Sequence, residues 1–200
     1  MTHIHLRYIS EVVSDDIVDE FISAISTQGL SPSVEREEKF PIQAGLEWLA
    51  PTALIIFLAK PYFESFLSEM GKDHYNILKK ALKALANRLL GRSGPKIRLI
   101  HSKGKIKNSE KYSLTFSIYV EVSEKLNLKL LFPIELQEEE VHEIIETYSS
   151  FIEALYTGQM DEALIHKLSG GRVIGKTMLI AYDIEAKTLS PVDPIPQKQS

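Results

Sequence analysis

The chain has 200 residues with 44% apolar side chains and no cysteine, so it can bury a hydrophobic core but cannot form disulfides or thiolate metal sites. The N-terminus lacks a signal-peptide pattern and the longest apolar run, residues 53–59, is too short to cross a bilayer, which together predict a cytosolic protein without a transmembrane segment. The net charge of −4 argues against a generally basic nucleic-acid-binding protein.

The charges are segregated along the chain. Residues 72–111 contain 12 of the 23 Lys and Arg residues but only two of the 27 acidic residues. The flanking segments are both acidic, with 11 acidic against four basic residues in 1–71 and 14 against seven in 112–200. This asymmetry is a hint about binding partners, because a block of like charge creates a local field.

The first half of the chain alternates strands and helices. Residues 4–8 alternate apolar and polar side chains, which predicts a half-buried strand, and Ser14 is expected to cap a helix that ends at Gly29. Residues 34–39 are a charged strand candidate. The continuous apolar run 52–59 predicts a strand that is buried on both faces.

The middle of the chain changes character after two helices. Helices are predicted over 62–70 and 73–90, and the second is amphipathic and basic. Residues 96–101, 112–122 and 126–132 then predict an antiparallel meander. The alternation in 112–122 predicts one core face and one solvent face for that strand.

The last third contains a long amphipathic helix over 137–156, a short helix over 161–168 and a final strand over 177–184. Residues 190–200, rich in proline and polar side chains, predict an extended or disordered tail.

These elements predict an α+β fold with a mixed sheet, in which an N-terminal β-α-β crossover part is followed by an antiparallel meander covered by a long helix. We expect one compact domain over 1–189, with any sub-division near 91–95. The order of the opening strand, the capped helix and the apolar strand at 52–59 resembles the first half of a flavodoxin-like domain, such as a TIR domain. The resemblance lies in element order and assigns no functional residue.

One stretch, residues 170–177, matches the phosphate-loop pattern G-x-x-x-x-G-K-[ST]. A phosphate loop follows a strand and leads into a helix, which aims backbone N–H groups at the phosphates. Here a helical segment precedes the match and an apolar strand follows it, which favours a glycine turn into a final strand. The alternative is a small enzyme acting on a nucleotide or phosphorylated ligand, whose phosphate-binding residues would be Gly170, Arg172, Gly175, Lys176 and Thr177.

Histidine pairs are weak metal-site candidates. His3 and His5 lie on one face of the opening strand, but Arg7 shares that face and its charge opposes a divalent cation. His142 and Glu146 lie one helical turn apart without the second histidine of a metalloprotease helix. We predict no metal site, no cofactor and no catalytic residues.

The basic segment 72–111 supplies the leading functional candidate. Its helix and the following loop bring together cationic side chains that we expect to bind a partner: Lys79, Lys80, Lys83, Arg88, Lys103, Lys105 and Lys107. An acidic protein surface is the favoured partner. Nucleic acid is less favoured, because no aromatic residues for base stacking interleave the loop.

The leading hypothesis is therefore a non-enzymatic cytosolic interaction protein of the immunity, antitoxin or adaptor kind. The rivals are the small phosphate-ligand enzyme and nucleic-acid binding through the basic segment. A purely structural explanation competes with all three, since the cations could neutralise the protein's own acidic helices. The interaction hypothesis requires that the cations gather on one accessible side.

Overall fold

A computed structural model describes residues 3–26, 32–39, 52–66, 71–97, 111–159 and 162–193. The described chain contains helices and strands in the order β1 (Ile4–Ile9), α1 (Asp15–Ile25), β2 (Ser33–Glu37), β3 (Leu54–Leu58), α2 (Lys60–Phe66), α3 (Gly71–Leu90), β4 (Tyr112–Ser123), β5 (Leu126–Pro133), α4 (Glu138–Thr157), α5 (Glu162–Ser169), β6 (Val173–Ile174), β7 (Thr177–Asp183) and β8 (Thr188–Val192). The predicted mixed α+β fold is confirmed.

All eight strands belong to one sheet with the order β2-β1-β3-β4-β5-β7-β6, and β8 also pairs with β7. The pairs β1·β2, β3·β4 and β5·β7 are parallel, and each pair is joined through at least one helix, as a parallel connection requires. The pairs β1·β3 and β4·β5 are antiparallel. Strand β3 precedes residues 91–95 in the chain and β4 follows them, and these two strands pair directly. The sheet is therefore continuous across this point of the chain.

The resemblance to a flavodoxin-like domain holds for strand order alone. The order β2-β1-β3-β4-β5 is that of a flavodoxin-like sheet, which is predominantly parallel. Here β3 runs antiparallel to β1 and β5 runs antiparallel to β4.

The structure describes only the beginning of the first strand of the predicted three-stranded meander. Lys96 and Ile97 are not in a strand, and residues 98–101 lie outside the described part of the chain. The other two strands form the β4–β5 hairpin, and β5 then pairs in parallel with β7. Helix α1 also ends earlier than predicted, at Ile25, and Gly29 is not among the described residues.

Helix α4 has clear start and stop signals. At its N-terminus, Gln137 and Glu140 form a capping box in which each side chain bonds the other residue's backbone N–H. At its C-terminus, Gly158 has φ +70° and takes the left-handed cap conformation that glycine adopts without strain. Between these two caps α4 runs for 20 residues, a length of about 30 Å.

One face of the sheet packs against the helices and forms the main core. The side chains at alternate strand positions are fully buried there, including Leu6, Ile56, Ile118, Leu130 and Ile180. The same cluster contains the apolar sides of α1, α3 and α4. Burial of this apolar surface is the main stabilising contribution to the fold.

The predicted solvent face of β4 is buried at two positions and partly exposed at the others. Thr115 and Ser117 are both buried, and the Ser117 hydroxyl lies 2.5 Å from the hydroxyl of Thr52. On the neighbouring strand, Lys129 is only 2% exposed, and its ammonium group lies 5.3 Å from the centre of the Tyr119 ring. Burial, helped by the charge of Arg7, lowers the pKa of Lys129 to about 7.

Part of the predicted tail belongs to a strand. Ser190 to Val192, assigned to the tail from sequence, continue β8 and pair with Ala181 to Leu179 of β7. The pairing explains why Leu189 is buried in the core cluster. Residues 194–200 lie outside the described ranges.

Candidate interaction site

Helix α3 occupies the middle of the helical layer, in contact with α1 on one side and α4 on the other. Its buried stripe, spaced three and four residues apart, consists of Leu78, Leu82, Leu85 and Leu89. The basic residues of α3 lie outside this stripe, as the sequence predicted, and they divide among three surroundings.

The first surrounding is the groove between α3 and α4. Lys83 donates to Glu146 at 2.5 Å, and Lys79 lies 3.4 Å from the same carboxylate. The hydrogen bond from Lys83, with the charge of Lys79, holds the pKa of Glu146 below its usual value. Lys79 also lies 5.6 Å from the centre of the Tyr75 ring. Two ammonium groups therefore share the carboxylate of Glu146.

The second surrounding is the groove between α3 and α1. The guanidinium of Arg88 pairs with the carboxylate of Glu20, and both side chains are exposed. An exposed pair of this kind contributes about 0–1 kcal/mol, because water and salt screen it. Arg88 can therefore exchange Glu20 for another carboxylate at little cost.

The third surrounding is solvent. Lys80 is exposed on the outer side of α3, and no ion pair among the described residues involves it. Ile77, one turn earlier, is 45% exposed on the same side of the helix. The predicted Lys103, Lys105 and Lys107 lie outside the described residues.

Two further exposed cations follow the end of α3. Arg92 and Lys96 are both exposed in the turn and loop that follow Leu90. We call Lys80, Arg88, Arg92 and Lys96 the basic ridge. The sequence analysis did not name Arg92 and Lys96 individually as partner-binding residues, although both lie in the basic segment 72–111. The glycines at 91 and 94 were the signal that the chain turns here and keeps them near the helix end.

A cleft of about 660 Å³ opens at this end of the sheet. Its walls come from the end of α3, the loop 91–97, the start of β4 and the connection from β5 to α4. Arg92 and Lys96 line it, together with Glu135 and Gln137. The nitrogen Nη2 of Arg92 lies 3.5 Å from Oε1 of Gln137 across the cleft, so the guanidinium is only weakly held.

The cleft arises where β4 and β5 separate. Tyr112 pairs with Pro133 and Ser117 pairs with Leu131, so four residues of β4 face a single residue of β5 between these pairs. Such a bulge bends its strand away from the ladder. The sequence pattern of β4 is continuous through the bulge, and for this reason the cleft could not be predicted.

The hydroxyl and the N–H of Thr115, in the bulge, are both hydrogen-bonded within the protein. The Thr115 hydroxyl donates to the carbonyl oxygen of Pro95 at 3.0 Å, and the Thr115 N–H donates to the Ser113 hydroxyl at 3.1 Å. The N-terminus of α4 beside the cleft is likewise closed by its own capping box. The remaining ionic groups of the cleft are therefore the side chains of Arg92, Lys96 and Glu135.

The phosphate-loop match folds as a turn and a hairpin. Gly170 follows α5, Arg172 pairs with Asp193 at 3.3 Å, and Gly175 with Lys176 forms the two-residue turn between β6 and β7. Both turn residues have positive φ, as a type I′ hairpin turn requires. Thr177 is buried at the start of β7. This arrangement agrees with the predicted glycine turn into a final strand, with no helix after it.

The histidine pairs do not form ligand clusters in the described part of the chain, where no three His, Asp or Glu side chains are grouped as metal ligands. The ring of His5 lies 2.7 Å from the Ser33 hydroxyl and 3.4 Å from Glu35. His142 accepts from the side-chain amide of Asn87 at 2.8 Å. Both rings thus join neighbouring elements.

No protein family model matches this chain, and comparisons with curated proteins and with solved structures found no significant similarity. Among the described helices, none combines the length and apolar character needed to cross a membrane.

Proposed function

We propose that this chain is a non-enzymatic protein-interaction module and that the basic ridge binds an acidic surface of its partner. One observation carries the proposal. Among the described residues, the six cationic side chains of 73–97 form ion pairs with only two carboxylates, Glu20 and Glu146. Internal ion pairing therefore leaves the central helix and its following loop with an excess of positive charge.

The charges of the two neighbouring helices support binding of the partner at the basic ridge. Asp16 and Asp19 are exposed on α1, and Glu139 is exposed on α4. Like charges repel an acidic partner from these two helices, whereas the basic ridge between them attracts it. The alternation of acidic, basic and acidic helices would thus fix the position of the partner as well as speed its approach.

The cationic residues of α3 that the sequence predicted to bind a partner have two roles in this proposal. Lys80 and Arg88 contact the partner directly, since both side chains are exposed and the pair of Arg88 with Glu20 is easily exchanged. Lys79 and Lys83 hold α3 against α4 through Glu146 and add their surplus charge to the local field. Exposed Ile77 supplies apolar contact area beside Lys80.

The test uses a fluorescein-labelled peptide of alternating Asp and Ser, with binding followed by fluorescence anisotropy. We expect binding at low salt that weakens at physiological salt, because the contacts are exposed and screened. The double variant Lys80→Glu with Arg92→Glu should weaken binding by about tenfold or more, given about 0.2–1 kcal/mol per exposed pair and added repulsion.

The matched control is Lys125→Glu with Lys176→Glu, which makes the same charge change in two hairpin turns away from α3. The control should bind nearly as well as the unaltered chain. Equal weakening by both double variants would show a net-charge effect and contradict the proposal. Tighter binding to a single-stranded oligonucleotide than to the acidic peptide would favour the nucleic-acid alternative instead.

A further inference from the structure

The cleft at the end of α3 has the size and the lining of a binding site. Its volume of about 660 Å³ falls within the range of about 300–1,000 Å³ that is typical of ligand pockets. Leu90, Ile97, Leu114 and Pro133 contribute apolar surface to its walls, and all four are partly exposed. Ile134 at its margin is 47% exposed. Apolar surface left accessible in a concave site is stabilised when an apolar group covers it.

Several polar groups at the floor of the cleft are already engaged within the protein. The hydroxyl and the N–H of Thr115 are both engaged, with Pro95 and Ser113 respectively. The first turn of α4 is closed by Gln137 and Glu140. These groups are therefore not available to an entering anion, whereas an aromatic or aliphatic side chain would need no hydrogen-bond donor.

Charged groups at the cleft specify what lies next to that occupant. Arg92 and Lys96 belong both to the basic ridge and to the cleft lining. Glu135 lies on the wall formed by the β5–α4 connection and repels acidic groups on that side. An occupant with carboxylates beside its apolar group is therefore attracted by Arg92 and Lys96, and its carboxylates lie on the α3 side of the cleft.

We propose that the cleft binds one large apolar side chain of an acidic protein segment, whose neighbouring carboxylates pair with Arg92 and Lys96. This inference rests on the proposed function, since the segment that enters the cleft is part of the partner bound by the basic ridge. It assigns a separate role to the cleft: the ridge attracts the partner, and the apolar anchor holds it. Anchors of this kind account for most of the affinity at many interfaces.

The test compares two fluorescein-labelled peptides of alternating Asp and Ser, identical except for one central residue, which is Phe in the first and Ser in the second. The Phe peptide should bind about ten- to a hundred-fold more tightly, as expected from about 1.5–3 kcal/mol for burying such a side chain. The advantage should persist at physiological salt, where the shared electrostatic contribution weakens.

The variant Ile134→Gln tests the cleft itself, because it replaces an exposed apolar margin residue with a polar residue of similar size. Ile165→Gln is its matched control, since Ile165 is also 47% exposed but lies on α5. We expect the Phe advantage to shrink at least about threefold in Ile134→Gln and to remain in Ile165→Gln.

The outcomes separate the two proposals. If both peptides bind equally well and lose affinity with salt, the ridge proposal stands and the anchor pocket is wrong. If the Phe advantage survives Ile134→Gln unchanged, the apolar contact lies elsewhere and the cleft assignment is also wrong. If neither peptide binds at low salt, the proposed function fails and the anchor fails with it.

Discussion

Lys83 on α3 and Glu146 on α4 form an ion pair across the groove between two helices whose charges have opposite signs. The segregation of charge along the sequence thus becomes an alternation in space, with the basic helix between two acidic ones. Part of the basic segment is used inside the protein, and the purely structural explanation is correct for that part. Lys80, Arg92 and Lys96 have no such ion pair within the described ranges, and the proposed binding depends on them.

The substitution Glu146→Gln separates the structural and the binding roles of the α3 lysines. It should lower the free energy of unfolding by less than about 1 kcal/mol, because the carboxylate is 45% exposed and the pair is screened. The same substitution releases Lys79 and Lys83 and should tighten binding of the Asp-Ser peptide. Urea unfolding and fluorescence anisotropy measure the two effects. Glu185→Gln, in the exposed β7–β8 turn, makes the same charge change and should alter neither by as much.

The stabilising effect of Glu146 should depend on pH. Its pKa is lower in the folded than in the unfolded protein, so its contribution is present above the unfolded value of about 4.3 and is lost as pH falls through the folded pKa. The unfolding free energies of the unaltered chain and of Glu146→Gln should therefore converge at low pH. A difference that grows on acidification would contradict this ion pair.

Lys129 predicts a pH dependence on the alkaline side. Below about pH 7 the ammonium group is protonated in both folded and unfolded states. Above that pH the folded protein loses this proton, whereas the unfolded chain keeps it up to about pH 10.4, so stability should rise with pH between these values. Urea unfolding across this range should show the rise in the unaltered chain and a flatter profile in Lys129→Met. Lys125→Met, on an exposed turn, serves as the control and should retain the rise.

The Gly175–Lys176 turn gives a test that distinguishes a hairpin from a phosphate loop. Lys176 has φ +68°, a conformation that costs a lysine about 1 kcal/mol and glycine almost nothing. Lys176→Gly should therefore raise the unfolding free energy by about 0.5–1 kcal/mol, whereas Lys176→Ala keeps the strain and should not. A thermal shift with ATP that Lys176→Gly abolishes would instead support phosphate binding at this turn.

The sequence predicted elements well wherever burial imposed a clear period. The alternation in β4 and the apolar run in β3 both located strands, and the acidic first turn and apolar stripe of α4 located a helix. The same alternation misled at Thr115 and Ser117, because a polar side chain can be buried when it finds a hydrogen-bond partner in another strand or loop. Such partners are distant in the chain and leave no local pattern.

The candidate site was predicted only in part for the same reason. The basic charge of 72–111 is visible in composition, but its division between ion pairs and solvent depends on Glu20 and Glu146, which are far away in sequence. The cleft depends on the register shift between β4 and β5, and no residue in either strand predicts this shift.

The adjacent glycines Gly170 and Gly171 should differ in their tolerance of a side chain. A Cβ on Gly171 would lie 2.8 Å from the sulfur of Met178 and 2.9 Å from the Cβ of Pro191, whereas on Gly170 its nearest neighbour would be the Lys167 oxygen at 3.8 Å. Met178 can move but the proline ring cannot, so Gly171→Ala should cost about 1–3 kcal/mol through overpacking of β7 and β8. Gly170→Ala should cost much less, and urea unfolding of both variants measures the difference. The reverse order of sensitivity would mean that the turn into β6 is not packed against β8, and it would restore Gly170 as the residue of interest in the phosphate-loop interpretation.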